Sequence, residues 1–134
     1  MREEDTPVST ILAPVSIGEL ADKITILEIK AERIDDPQKL QNVRTELDGL
    51  LPLWAPIADG HAELAELKLA LREANTRMWD VQDALRAKEA AQDFGDAFIT
   101  LARAVAKHNG DRVAVKNQIN RLAGSRFVEE KQYR

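Results

Sequence analysis

The sequence contains no cysteine, and this absence excludes disulfide bonds, thiolate metal sites, iron–sulfur clusters and cysteine nucleophiles. It has no apolar run near the roughly 18 residues that a membrane-spanning helix needs. The glycines are scattered, so neither a phosphate-binding glycine loop nor a nucleophile elbow is present. The two histidines, His61 and His108, lack the spacing of zinc hydrolases. We therefore expect no metal, no cofactor and no membrane span.

The composition is that of a folded protein, with 44% hydrophobic and 31% charged residues in 134. This length favours one domain over residues 1–134, with an irregular lead-in at 1–15 and a tail at 125–134. The acidic start, Met1 to Asp5, is unlike a signal peptide, and together with the lack of cysteine it favours a cytoplasmic location. Because no segment alternates apolar and polar residues convincingly, the fold class should be all-α.

Start and stop signals divide the chain into about four to five helices. Ser16 and Glu19 form a capping box, and Asp36-Pro37 opens a second helix. Pro52 and Pro56 predict a break or sharp kink. Three further segments follow, namely an uninterrupted helix within residues 61–94, a fourth helix that ends at Asn109-Gly110, and a fifth helix that runs from Asp111 to Gly124.

The uninterrupted helix is too long for a compact chain of this size. Thirty or more residues span roughly 45–55 Å, whereas a compact chain of this length is about 35–40 Å across. We therefore expect a helical bundle whose long central helix forms an extended or coiled-coil-like antiparallel hairpin, or packs on a second copy in a dimer. The candidate interface residues are Leu64, Leu71, Asn75, Met78, Trp79 and Gln82.

Charge is divided unevenly along the chain. Residues 1–96 carry a net charge of −9 and residues 97–134 a net charge of +5. Attraction between an acidic body and a basic end, within one chain or between two copies, explains this division most simply. An anion-binding end is the alternative. The basic end has few aromatic residues, so we expect no nucleic-acid binding.

The helix after Ser16 carries the least ordinary pattern. Glu28 projects into the apolar stripe between Ile24 and Ala31, where an unpaired carboxylate would be costly, so we expect it to be buried and paired with Arg112 or Lys116. If the first and fifth helices are neighbours, their cations converge on a groove that attracts phosphate or carboxylate groups of a ligand or a partner protein. The alternative is that nearby acids already neutralise them. The cations are Lys23, Lys30, Arg33, Arg112, Lys116 and Arg121.

Three segments resemble the signature of an uncharacterised bacterial domain family. Residues 18–30, GELADKITILEIK, are followed by ERI at 32–34 and by KLQNV at 39–43. The ending GSRFVEEKQY at 124–133 is also similar to the close of that family. The resemblance covers nearly the whole chain. It implies a link to bacterial surface polysaccharide synthesis and supplies no catalytic residues.

Two functions follow as hypotheses. The first is a non-catalytic helical accessory or assembly protein, because the long heptad-spaced helix comes without a nucleophile or a metal motif. The alternative is a small helical enzyme of the chorismate-mutase type, with an anion pocket between helices that acts by electrostatic clamping. The side chains for such a pocket would be Lys23, Lys30, Arg33, Glu28, Arg112, Lys116 and Gln118.

Overall fold

A computed structural model describes residues 10–125 and Glu130. Within these residues the chain forms four helices and no strand, so the all-α prediction is confirmed. Much of the predicted lead-in and tail, at residues 1–9, 126–129 and 131–134, lies outside the described residues. The helices are α1 (Ile17–Arg33), α2 (Pro37–Ala58), α3 (Ala62–Ala90) and α4 (Asp96–Ala123).

The first two helices begin where their capping residues predict. The Ser16 hydroxyl accepts a hydrogen bond from the backbone N–H of Glu19 at 3.0 Å. The Asp36 carboxylate accepts one from the backbone N–H of Lys39 at 2.9 Å, and Pro37 occupies the first turn of α2. Each cap satisfies a backbone donor that the first helical turn leaves without a partner.

Helix α2 runs through Pro52 and Pro56, so the predicted break is wrong. Both proline rings lie on the exposed side of the helix, where water can bind the carbonyl groups that lose their partners. Trp54, which lies between the two prolines, is buried at 7% exposure in the core. Packing of this side chain outweighs the hydrogen bonds lost at the prolines.

The predicted fourth and fifth helices form one continuous helix, α4, across Asn109-Gly110. Gly110 keeps a negative φ, and the Asn109 side chain accepts a hydrogen bond from Arg112 Nη1 at 2.7 Å instead of ending the helix. A glycine inside a helix costs only about 1 kcal/mol relative to alanine. The extensive packing of α4 along α3 offsets that cost.

The bundle is built on the α3–α4 pair, whose helices are antiparallel and joined by residues 91–95. Helix α1 packs on both of them, and α2 packs mainly on α1. The described core side chains come from all four helices and include Ile24, Trp54, Leu64, Leu71 and Ile119. No helix in the described part of the chain combines the length and apolar character required to cross a bilayer.

The α3–α4 pair has two unequal halves. We call residues 62–80 and 108–123 the proximal half, and residues 81–107 the distal half. Every buried residue of α3 and α4 belongs to the proximal half, and none belongs to the distal half. Helix α1 ends at Arg33, whose guanidinium pairs with Asp80 at the boundary between the halves. Since α3 has 29 residues and is about 43 Å long, its last turns extend beyond α1.

Candidate functional site

Three polar side chains from three helices form a closed hydrogen-bonded ring under α1. Asp22 of α1 and Asn75 of α3 are buried, at 6% and 5% exposure. Asn75 Nδ2 donates to Asp22 Oδ1 at 2.9 Å, and Arg112 Nη2 of α4 donates to Asp22 Oδ2 at 2.8 Å. Arg112 Nε donates to Asn75 Oδ1 and completes the ring. Each member therefore orients the other two.

Two more side chains extend the ring and fix its geometry. Asn75 Nδ2 also donates to the hydroxyl of Thr25 at 2.9 Å, and Arg112 Nη1 donates to Asn109 Oδ1 at 2.7 Å. The guanidinium group of Arg112 thus uses three of the five N–H donors that arginine possesses. Its position is set by the protein before anything else binds.

Lys116 joins the same cluster from the next turn of α4. Its side chain is only 5% exposed, its Nζ pairs with Glu19, and it lies 3.6 Å from Asp22 Oδ2. The two cations Arg112 and Lys116 are therefore balanced by the two carboxylates Asp22 and Glu19. The side chains of Lys116 and Asp22 are both nearly inaccessible to water, so removal of one of them leaves the other charge stranded, which is costly.

Gly18 allows α1 to approach α4 closely enough for these contacts. Its backbone N–H donates to Asn120 Oδ1 at 2.7 Å. A Cβ at this position would lie 2.5 Å from the Lys116 carbonyl oxygen, which is a backbone atom and cannot move alone. A side chain at residue 18 would therefore push the start of α1 away from α4.

Beside the ring lies a cavity of about 260 Å³ between α1, α3 and α4. We call it the α1/α3/α4 cavity. Its charged groups are Lys30 and Arg112. Among the described residues, no carboxylate lies within ion-pairing distance of the Lys30 ammonium group. The other lining residues are Ile26, Ile29, Asn75, Met78, Trp79 and Gln82.

The structure brings two of the six candidate anion-binding cations to one cavity, namely Lys30 and Arg112. Lys116 does not line this cavity, and it contacts the polar ring through its ion pairs with Glu19 and Asp22. The remaining cations lie elsewhere. Lys23 pairs with Glu46 of α2 at 2.9 Å, Arg33 pairs with Asp80 of α3, and Arg121 lines a separate groove with Glu63 and Glu66.

Glu28 has a different partner from the two that its position suggested. It is half-buried, and its carboxylate lies 3.5 Å from the Nζ of Lys68 on α3. The side chains of this pair keep 24% and 19% of their exposure, so both ions retain water. Arg112 and Lys116 pair instead with Asp22 and Glu19, which lie on the side of α1 that faces α4.

Four of the six candidate interface residues on α3 are not accessible to a second copy. Leu64, Leu71, Asn75 and Met78 are buried inside the chain itself, at 8% exposure or less. The two other candidates, Trp79 and Gln82, line the α1/α3/α4 cavity. The heptad pattern predicts the burial of these four residues correctly, but the helices that cover them belong to the same chain.

Comparison with known proteins gives one family. A family model described as a family of unknown function, DUF6165, matches residues 12–134. The chain belongs to the DUF6165 family. No curated protein and no solved structure shows significant similarity to it. The DUF6165 match spans both the polar ring and the α1/α3/α4 cavity, but it assigns no activity to either.

Three residues at the polar ring, or beside it, are not predicted as site residues from the sequence. Gly18 and Asp22 lie within the GELADKITILEIK segment, which predicts no role for either, and the heptad pattern predicts Asn75 as an interface residue. The only available signals were a glycine in the first turn of a helix and a polar residue within a heptad stripe. Neither signal identifies the helix that comes close. Among the described residues, no group of three or more acidic or histidine side chains is arranged to hold a metal ion.

Proposed function

We propose that this chain is a non-catalytic helical assembly protein that forms a two-fold dimer through its distal half. The observation that carries the proposal is the contrast between apolar composition and burial in residues 81–107. Phe94 and Ile99 are 48% and 51% exposed, and no residue of this half is fully buried. Exposed apolar side chains also occur elsewhere, such as Leu53 and Leu69, but the distal half is the part of the α3–α4 pair in which they occur without any buried residue. Helices that carry exposed apolar side chains and lack a covering partner are typical of interaction surfaces.

A second copy of the chain is the partner that the composition of this half fits best. The distal half carries four acidic and four basic residues, so two copies meet without net charge repulsion. It also contains eight alanines, whose small side chains allow helices to pack at close distance. In a two-fold dimer the same surface serves both copies, and most soluble oligomers are of this kind.

Light scattering of the purified protein tests this proposal. We expect a mass of about twice the 15.0 kDa of the chain at micromolar concentration. Ile99→Asp should reduce the mass to that of one chain while the helical circular dichroism stays unchanged. Leu69→Asp is the matched control, because Leu69 is equally apolar and 62% exposed on the proximal half, and it should leave the dimer intact.

Two results would contradict the proposal. One is a wild-type mass of 15.0 kDa at every concentration tested. The other is a dimer that survives Ile99→Asp but dissociates in Leu69→Asp, because the interface would then lie on the proximal half.

The enzyme alternative receives less support from the geometry. Of the seven side chains that it requires, only Lys30 and Arg112 line the same cavity, and Gln118 lines a separate groove with Arg121. Prephenate formation from chorismate by the purified protein would overturn the non-catalytic proposal. The proposal includes a link to surface polysaccharide synthesis, which the family resemblance implies, and a cytoplasmic location, which the acidic start and the lack of cysteine favour.

A further inference from the structure

The α1/α3/α4 cavity combines two cations with an apolar wall, and the ligand that it binds does not depend on whether the chain forms a dimer. We propose that this cavity binds a small cyclic monocarboxylic acid. Lys30 and Arg112 hold the carboxylate, and Trp79 lies against the ring. The argument rests on the cations, their net charge, and the size and lining of the cavity.

The two cations have donors left for a ligand. Arg112 uses three of its five N–H groups within the protein, which leaves two on the guanidinium group. Lys30 has no carboxylate partner among the described residues, although it lines the same cavity. A carboxylate matches this arrangement, because its two oxygens can accept from a guanidinium group and an ammonium group together.

The net charge of the site favours an anion of charge −1. Asp22 and Glu19 balance Arg112 and Lys116, and Asp80 balances Arg33 at the boundary of the proximal half. Lys30 is therefore the one charge at the cavity that the described residues leave uncompensated. A phosphate monoester or a nucleoside diphosphate carries more negative charge than this site can neutralise, and its burial there would be costly.

The wall and the size of the cavity indicate a ring. Four of its eight lining side chains are Ile26, Ile29, Met78 and Trp79, which favour contact with a flat apolar surface. The volume of about 260 Å³ corresponds to roughly nine water molecules at about 30 Å³ each. A single six-membered ring with a carboxylate fills a space of this size.

The arrangement is also rigid before a ligand arrives. Arg112 is fixed by Asp22, Asn75 and Asn109, so binding of a carboxylate does not require that its side chain be ordered first. Gln82 lies at the same cavity and is exposed, so its amide can contact a polar substituent on the ring.

Benzoate is the probe, and the indole N–H signals of the two tryptophans in a ¹H–¹⁵N spectrum are the readout. Trp79 lines the α1/α3/α4 cavity, whereas Trp54 lies in the core and borders a different cavity beside Glu28 and Lys68. Benzoate should shift the Trp79 signal in a saturable way, with a dissociation constant in the millimolar range expected for so small a ligand. The Trp54 signal serves as the internal control, and Trp79→Phe assigns the two signals.

Two variants of α1 distinguish binding in the cavity from general attraction of benzoate to surface lysines. Lys30→Gln should weaken benzoate binding by about tenfold or more, because a charge-assisted hydrogen bond to the carboxylate is lost. Lys23→Gln removes a lysine one heptad earlier that pairs with Glu46 outside the cavity, and should leave binding unchanged within about twofold. Lys30→Gln should fold normally, because Lys30 has no ion pair in the described structure to lose.

Two further probes, one neutral and one inorganic, test whether the ligand must have both a ring and a carboxylate. Benzyl alcohol has the ring without the carboxylate, and inorganic phosphate has the charge without the ring. We expect both to bind at least tenfold more weakly than benzoate. Equal binding of benzyl alcohol, equal binding of phosphate, no effect of Lys30→Gln, or no saturable shift of Trp79 with benzoate would each overturn the proposal. These results do not depend on the mass measured by light scattering.

Discussion

The two halves of the α3–α4 pair have the same secondary structure and differ in what surrounds them. The proximal half lies under α1 and contains every buried residue of the two helices. The distal half extends beyond the end of α1 and leaves Phe94 and Ile99 about half exposed. Helical periodicity alone does not distinguish the two, because Leu71, Met78 and Leu85 continue the same heptad spacing across the boundary.

The comparison shows that polar groups of this chain are buried where three helices meet. The proximal half encloses Asp22, Asn75 and Lys116, each at 6% exposure or less and each with a partner on another helix. Ion pairs at the boundary and in the distal half, such as Arg33 with Asp80 and Lys88 with Asp93, lie at the surface. Stability should therefore depend on the proximal network, and assembly should depend on the distal surface.

The largest effect should come from the centre of the proximal network. Asp22→Ala leaves Arg112 and Lys116 with Glu19 as their remaining carboxylate, and we expect it to lower the free energy of unfolding by about 3 kcal/mol. Urea unfolding followed by circular dichroism measures this loss. Asp80→Ala is the control at the boundary, since its exposed pair with Arg33 should contribute too little to resolve. Similar losses in both variants would show that the buried network around Asp22 contributes no more to stability than an exposed ion pair.

The second effect concerns the close approach of α1 and α4. Gly18→Ala places a methyl group against the Lys116 carbonyl and should destabilise the fold by about 2 kcal/mol. Gly49→Ala is the matched control, because a Cβ at Gly49 meets nothing within 4 Å on the exposed side of α2. That variant should be neutral or stabilising, as is usual for alanine in a helix interior. Equal tolerance of both substitutions would show that α1 and α4 do not need this contact.

A smaller effect of opposite sign is expected where α4 crosses the boundary between the halves. Gly110 is helical, and a Cβ there would meet nothing within 4 Å. Gly110→Ala should therefore raise the free energy of unfolding by about 0.5–1 kcal/mol, because the unfolded chain loses conformational freedom. Destabilisation in the same urea experiment would mean that Gly110 is needed for a bend or a close contact that the continuous helix does not show.

The smallest effect lies at the tip of the distal half. The backbone N–H of Gly95 and the Lys88 ammonium lower the pKa of Asp93 below the usual aspartate value of 3.8. A lowered pKa in the folded state means that Asp93 stabilises the fold above that usual value and loses this contribution as the pH falls through the folded pKa. Asp93→Asn should thus be slightly less stable than wild type at neutral pH and equal to it in strong acid. A difference that persists in strong acid would contradict this origin.

Local signals in the sequence predicted where the first two helices begin, but they also predicted interruptions that the helices do not contain. Ser16 and Asp36 gave the correct starts of α1 and α2, because capping depends on neighbouring residues. Pro52, Pro56 and Gly110 suggested breaks that the fold does not contain, because packing of Trp54 and of α4 on α3 overrides the local preference.

The site was less predictable for a related reason. A helical wheel places Glu28 in an apolar stripe and Asn75 in a heptad, but it does not show which helix covers each face. In the structure, Glu28 forms an ion pair with Lys68, and Asn75 forms hydrogen bonds with Asp22 and Arg112. The reason for a glycine at residue 18 becomes clear only when the position of the α4 backbone beside it is known.

The central claim is that the proximal half is covered by its own chain and the distal half by a second copy. Amide hydrogen exchange followed by mass spectrometry across a dilution series of the wild-type protein tests this claim most directly. We predict that peptides from residues 81–107 lose protection as the protein is diluted, whereas peptides from residues 62–78 keep theirs. Protection of residues 81–107 that is independent of concentration, or an equal loss in both regions, would contradict the account.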